Sequence, residues 1–192
     1  MMESMYRRMV QNKRVLLSTL TGSRLYGLHH ANSDWDHYAV VLDDMKSKHK
    51  VVGEEDVALH SLRTFTSQVA RGVPQALEAL WSPVAYVDPV WRPYLASLRP
   101  NYYEARYRHL SDQAKNVDLG KLRQKHSRLS LNMMSLAAYG RYNPVLEDWR
   151  LKLVLASRNS QELTDELRNM AQEVAPGDAA PLARAQRMAS MV

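Results

Sequence analysis

The sequence predicts an α+β protein. A small mixed β-sheet with flanking helices is expected in residues 1–100, a helical bundle in 101–174 and a flexible tail in 175–192. Three observations lead to this. Aliphatic and β-branched runs at 14–20, 34–42 and 55–62 are separated by Gly, Ser, Asn and Asp, which is how strands and their turns read. From residue 102 onward the apolar positions recur at helical spacing. Pro100 stands where one pattern gives way to the other.

Taken in order, residues 1–13 read as a short helix and 14–20 as the first strand, which runs into Gly22-Ser23. Residues 23–28 follow as a short helix, 29–33 as a polar loop and 34–42 as the second strand. Residues 43–53, carrying Lys46, Lys48, His49 and Lys50, read as a mobile loop. A third strand is expected over 55–62 and a helix over 62–71, broken by Gly72-Val73-Pro74. Another short helix covers 75–81, a short edge strand 84–87, and a helix 89–98 with proline in its first turn. The second half reads as helices over 102–115, 118–139, 145–158 and 161–174, with Asp118 as an N-cap and Gly140 as a stop. Pro176-Gly177 and Pro181 make the tail a frayed or disordered end, with a short helix as the alternative.

Composition narrows the chemistry. With no cysteine in 192 residues, disulfides and thiolate metal sites are excluded, which fits a reducing compartment. No apolar run approaches the ~20 residues a membrane helix needs. Residues 1–14 lack the apolar middle of a secretory signal. A cytoplasmic protein without membrane contact is expected. The net charge is +6, and residues 99–128 alone carry eight Lys or Arg against three acids. Such a segment suits nucleotide phosphates, RNA or DNA, or forms a solvated helical face.

The stretch from Gly22 to Asp36 carries the chemistry. On a strand, Asp34 and Asp36 face the same side, ~7 Å apart. Two carboxylates so placed can hold one or two hard divalent cations. A Gly-Ser turn entering a helix can accept a phosphate through backbone N–H groups. Together these are parts that a phosphoryl or nucleotidyl transferase needs. Adjacent His29 and His30 do not face one way, so a transition-metal site is not expected. There is no Walker A run, no Rossmann glycine fingerprint and no Ser-His-Asp motif.

Gly-Ser, ten residues, then Asp-Trp-Asp at the head of an apolar strand resembles the signature of the polymerase-β-like nucleotidyltransferase superfamily. Gly22-Ser23-Arg24-Leu25-Tyr26-Gly27 with Ser33-Asp34-Trp35-Asp36 is similar to the "GSRxYG…SDxD" pattern of a bacterial and phage family. That family includes RNA-repair-associated (RlaP-type) members. Ser61-Leu62-Arg63-Thr64-Phe65 resembles its "SLRKF" helix start. The run from Pro74 to Pro83 resembles its "NPxxLExLxxP" stretch, although Val73 replaces the Asn. Lys121, His126 and Arg128 resemble its "KxxxHxxR" region, with a Lys-to-His spacing of five. The likeness covers residues 14–139 and extends toward 174.

The resemblance implies a Mg²⁺-dependent nucleotidyltransferase fold and activity, with two metal ions and Mn²⁺ as an alternative. A nucleoside monophosphate would pass from a triphosphate to an RNA end, a protein hydroxyl or a small molecule, releasing pyrophosphate. Asp34 and Asp36 would be metal ligands. A third carboxylate must come from Glu54, Glu55 or Asp56, and Asp56 is chosen because it directly precedes Val57-Ala58-Leu59. Gly22, Ser23, Arg24 and Ser33 would meet the nucleotide. Arg24 could equally pair with Asp34 or Glu78, and Ser33 could simply order its loop. Lys121, Lys125 and Arg128 form one basic helical face, from which Lys121 and Arg128 would contact phosphates, while His126 points inward. The alternative function is a non-catalytic module binding nucleotide or nucleic acid on the same scaffold. A surface for a helical protein partner is a third reading.

Overall fold

A computed structural model describes residues 4–99 and 118–192. The helix expected over 102–115 and most of the basic segment lie outside the described residues. The chain divides into two compact units, residues 1–102 and 103–192.

The first unit is built on a five-stranded mixed sheet. Its elements are α1 (Met5–Val10), β1 (Val15–Leu20), α2 (Gly22–Tyr26), β2 (Trp35–Val41), β3 (Lys48–Val52) and β4 (Glu55–Ser61). They continue as α3 (Leu62–Ala70), α4 (Pro74–Trp81), β5 (Tyr86–Val87) and α5 (Arg92–Ser97). The strand order is β3-β4-β2-β1-β5. Only β2 and β4 run parallel; the other pairs are antiparallel. Alternation along the strands sends residues to two covered faces. On one, Ala39, Val41 and Leu59 pack under Tyr6, Met9 and Val10 of α1. On the other, Tyr38 meets Phe65 of α3 edge to face, with both rings buried. Burying such groups at roughly 1.5–3 kcal/mol per side chain is what holds the strands in register.

One strand departs from the sequence reading. Lys48–Val52 is an edge strand, where a mobile loop over 43–53 was expected. All five residues are exposed, so no buried face leaves an alternating pattern. The hairpin is made by a two-residue turn, Gly53-Glu54, with Gly53 in the left-handed region at φ 59°.

The second unit contains α6 (Leu119–Tyr139), α7 (Asp148–Ser157), α8 (Gln161–Glu173) and α9 (Ala180–Met188). Asp118 caps α6 by accepting from the Gly120 and Lys121 N–H groups, at 2.7 and 3.4 Å. Gly140, at φ 62°, closes it. From His126 to Ala137 every residue of α6 is buried, so the helix runs through the interior. This corrects the solvated basic face: Lys121 and Lys125 are exposed, but Arg128 is enclosed. The tail also differs. Pro181 sits in the first turn of α9, where proline is tolerated, and Leu182, Ala185 and Met188 are buried as α9 packs on α6, α7 and α8.

If α9 is integral, Leu182→Ala should destabilise the protein by about 2–4 kcal/mol, read from denaturant unfolding. A frayed tail would leave the midpoint unchanged.

Candidate active site

The acids come together through the parallel pairing of β2 with β4. In that register Asp36 lies directly beside Asp56, and Trp35 beside Glu55. Parallel neighbours project to the same face, so the two carboxylates share one side of the sheet. The Trp35 N–H donates to the Glu54 carbonyl at 2.6 Å, tying the head of β2 to the β3–β4 turn. Asp34 sits one residue before β2, exposed.

Asp36 is wedged against the Gly-Ser turn. The Thr21 N–H donates to the Asp36 carbonyl at 2.8 Å, continuing the β1–β2 ladder to the start of α2. Gly22 follows at φ 67°, and a Cβ there would overlap the Asp36 carboxylate. Only glycine meets both demands. Partial burial of Asp36, with the charges of Asp56 and Asp34 nearby, pushes its pKa up to about 6, and Arg24 only partly opposes this. Glu78, fully buried and accepting from the Tyr26 hydroxyl, adds a further repulsive charge.

Arg24 is largely committed. Its Nε donates to the Asp34 carbonyl at 3.1 Å and its Nη2 to the Ser33 carbonyl at 2.7 Å. The guanidinium lies 3.8 Å over the Trp35 ring centroid. It therefore clamps the loop that delivers Asp34. Ser33 is buried, and its hydroxyl accepts from the His30 N–H at 2.9 Å, which makes it a loop-ordering residue. Ser23 starts α2 beside Gly22 with its backbone in the turn. Lys121 and Arg128 belong to the second unit, the first exposed and the second buried.

His49 escaped the sequence reading. Its Nε2 lies 2.5 Å from Asp56 Oδ1, reaching across from the edge strand on the same face. The signal that could have found it is Val51-Val52 followed by Gly53-Glu54, which reads as a hairpin and places His49 opposite the next strand. Among the described residues no three His, Asp or Glu side chains gather closely enough to form a metal centre as they stand. The available donors are carboxylate oxygens, the hard ligands that Mg²⁺ and Mn²⁺ take. The mutual repulsion at Asp36 is the kind that a bound cation relieves.

A family model described as the RNA repair pathway DNA polymerase beta family, RlaP, matches residues 2–173. The chain belongs to this family. RlaP membership accounts for the α+β architecture, a mixed sheet followed by helices, and it suggests nucleotidyltransferase activity. Families of this kind typically use divalent metals. No curated protein matches the chain. Among the described residues no helix is long and apolar enough to cross a membrane.

Two outcomes follow from the wedge. Gly22→Ala should destabilise the fold by about 1–3 kcal/mol, measured by thermal or chemical unfolding, because positive φ and carboxylate overlap both oppose it. Asp36→Asn should do the reverse in EDTA at pH 7.5. A carboxyl whose pKa is raised on folding contributes stability below its unfolded value, near 3.8, and loses it as pH rises through about 6. Allowing for partial exposure, the amide should gain on the order of 1–2 kcal/mol at pH 7.5. The gain should disappear as the melts are repeated down to pH 4.

Proposed function

We propose that the chain is a Mg²⁺-dependent nucleotidyltransferase, moving a nucleoside monophosphate from a nucleoside triphosphate to an acceptor hydroxyl or phosphate. The observation that carries this reading is the placement of Asp36 beside Asp56 on parallel strands, with Gly22 cleared beneath Asp36. Asp34, Asp36 and Asp56 would hold the metal. Bound there, it would neutralise phosphate charge and lower the pKa of the attacking group.

The chain's own residues divide the remaining work. The Gly22-Ser23 turn offers backbone N–H groups and the Ser23 hydroxyl to the triphosphate. Arg24, by holding the Ser33 and Asp34 carbonyls, keeps Asp34 at the mouth of the site. Its Nη1, which makes no hydrogen bond among the described residues, is the donor left for a phosphate. Asp56 is the base candidate for the acceptor proton, with His49 holding its carboxylate before substrate arrives. In the reaction the acceptor oxygen bonds to the α-phosphorus, the bond to the bridging oxygen breaks and pyrophosphate leaves with that electron pair.

The His49–Asp56 contact favours one alternative, a nucleotide-binding module whose third carboxylate stays occupied. The same experiment separates the two readings. Each labelled triphosphate is incubated with Mg²⁺ and RNA, protein or small-molecule acceptors, and pyrophosphate release and acceptor labelling are followed. Transfer should appear with the wild type and fall at least about a thousandfold in the Asp34→Ala/Asp36→Ala variant, the scale of losing the metal-held electrostatics. Mg²⁺-dependent triphosphate binding without pyrophosphate release would select the binding module.

A further inference from the structure

The face of the sheet opposite Asp36 and Asp56 carries a cavity of about 490 Å³ between α1 and the edge strand β3. We propose that this groove is a binding track for the sugar-phosphate backbone of a single-stranded nucleic acid. Its walls bear Arg8 and Lys13 on one side, Lys48 and Lys50 on the other, and its floor includes Met5 and Met9.

The register places the lysines. Lys48 is paired with Leu59, Lys50 with Val57 and Val52 with Glu55. Leu59 belongs to the cluster under α1, so Lys48 and Lys50 share the α1 face and His49 points to the other. Successive residues of one face lie ~7 Å apart, close to the interval between phosphates of an extended strand. Lys48 and Lys50 stand two residues apart on one strand, so their charges are spaced along it rather than gathered at one point, as a compact anion would need.

The positive charge is only partly cancelled locally. Lys13 pairs with Asp43 at 2.7 Å. Among the described residues Arg8, Lys48 and Lys50 form no ion pair. Glu55, an acid on this side, accepts from the Tyr6 N–H at 3.3 Å, and hydrogen bonding from Ser4 and the start of α1 holds its pKa below the usual carboxylate range. Half-buried Met9 offers soft apolar surface to riboses or bases without selecting a sequence.

The groove also leads somewhere. Val52 ends at the Gly53-Glu54 turn, and its partner Glu55 directly precedes Asp56. A strand tracking from Lys48 to Val52 arrives at the end of the sheet that holds the acids. That it serves as the nucleotide acceptor rests on the proposed transferase reading; that it binds does not.

The test is fluorescence anisotropy with the full chain, EDTA and a 5′-labelled 12-nucleotide oligouridine, titrated at several salt concentrations. K48E/K50E, and separately R8E on α1, should weaken binding by at least about tenfold. K48A/K50A should lower the slope of log affinity against log salt by about 1.4, the loss of two phosphate contacts on a single strand. R187E, on exposed Arg187 of α9, makes the same charge change as R8E and should lose far less. Thermal melts check that each variant is folded. Wild-type affinity in K48E/K50E and R8E would overturn the proposal, as would a charge-matched oligoglutamate binding as tightly with the same lysine dependence. Lysine-dependent oligouridine binding with no nucleotide transfer under any condition would sink the transferase reading and leave the groove standing.

Discussion

Side-by-side carboxylates on parallel strands are unfavourable unless something else holds them there, and much of the first unit can be understood as what holds them. Asp36 and Asp56 are neighbours because β2 and β4 pair in parallel, and that register is set by the buried residues farther along: Ala39, Val40 and Val41 on β2, Val57 and Leu59 on β4. A slip of one residue would turn all of these to the wrong face. The cost of gathering the acids is therefore met by apolar packing several residues away. The repulsion raises the Asp36 pKa instead of dispersing the strands. Gly22 completes the arrangement by leaving room for the Asp36 carboxylate, which a Cβ there would overlap.

The loop before β2 answers a related problem. Asp34 is exposed and lies outside the ladder, so β pairing does not place it. The Arg24 guanidinium gathers two successive carbonyls and stacks on Trp35, joining α2 to the head of β2. Ser33 fastens the same loop from within through His30. Arg24 and Ser33, which the resemblance assigns to the nucleotide, also hold the backbone that carries one acid.

How much could be read from residues alone follows from where information is written. Strands β1, β2 and β4 carry apolar faces, and the cap residues Asp118 and Gly140 bound α6, so all four are legible. The Gly22-to-Asp36 spacing is legible too, because the glycine requirement and the carboxylates are local. Strand β3 is not, since it buries no side chain and is held by its ladder to β4. The burial of Arg128 is hidden for the opposite reason: a helix enclosed on every side has no solvent face for periodicity to reveal. Helix α9 is masked by Pro181, whose meaning depends on whether it falls inside a helix or at its start. The His49–Asp56 contact crosses strands, and no single stretch of sequence records it.

A sheet edge invites another strand, and among the described residues β3 is such an edge: the N–H and C=O groups it turns away from β4 lead to two exposed valines. Lys48 and Lys50 make that edge a poor template: a second copy approaching in register would bring like charges together in a region that must lose water. The same side chains that give the groove its charge thus also guard solubility. Neutralising them, by modification or by a tightly bound polyanion, would remove the guard while leaving Val51 and Val52 bare. With a polyanion in the proposed groove, colloidal behaviour and ligand occupancy would be coupled through one short strand.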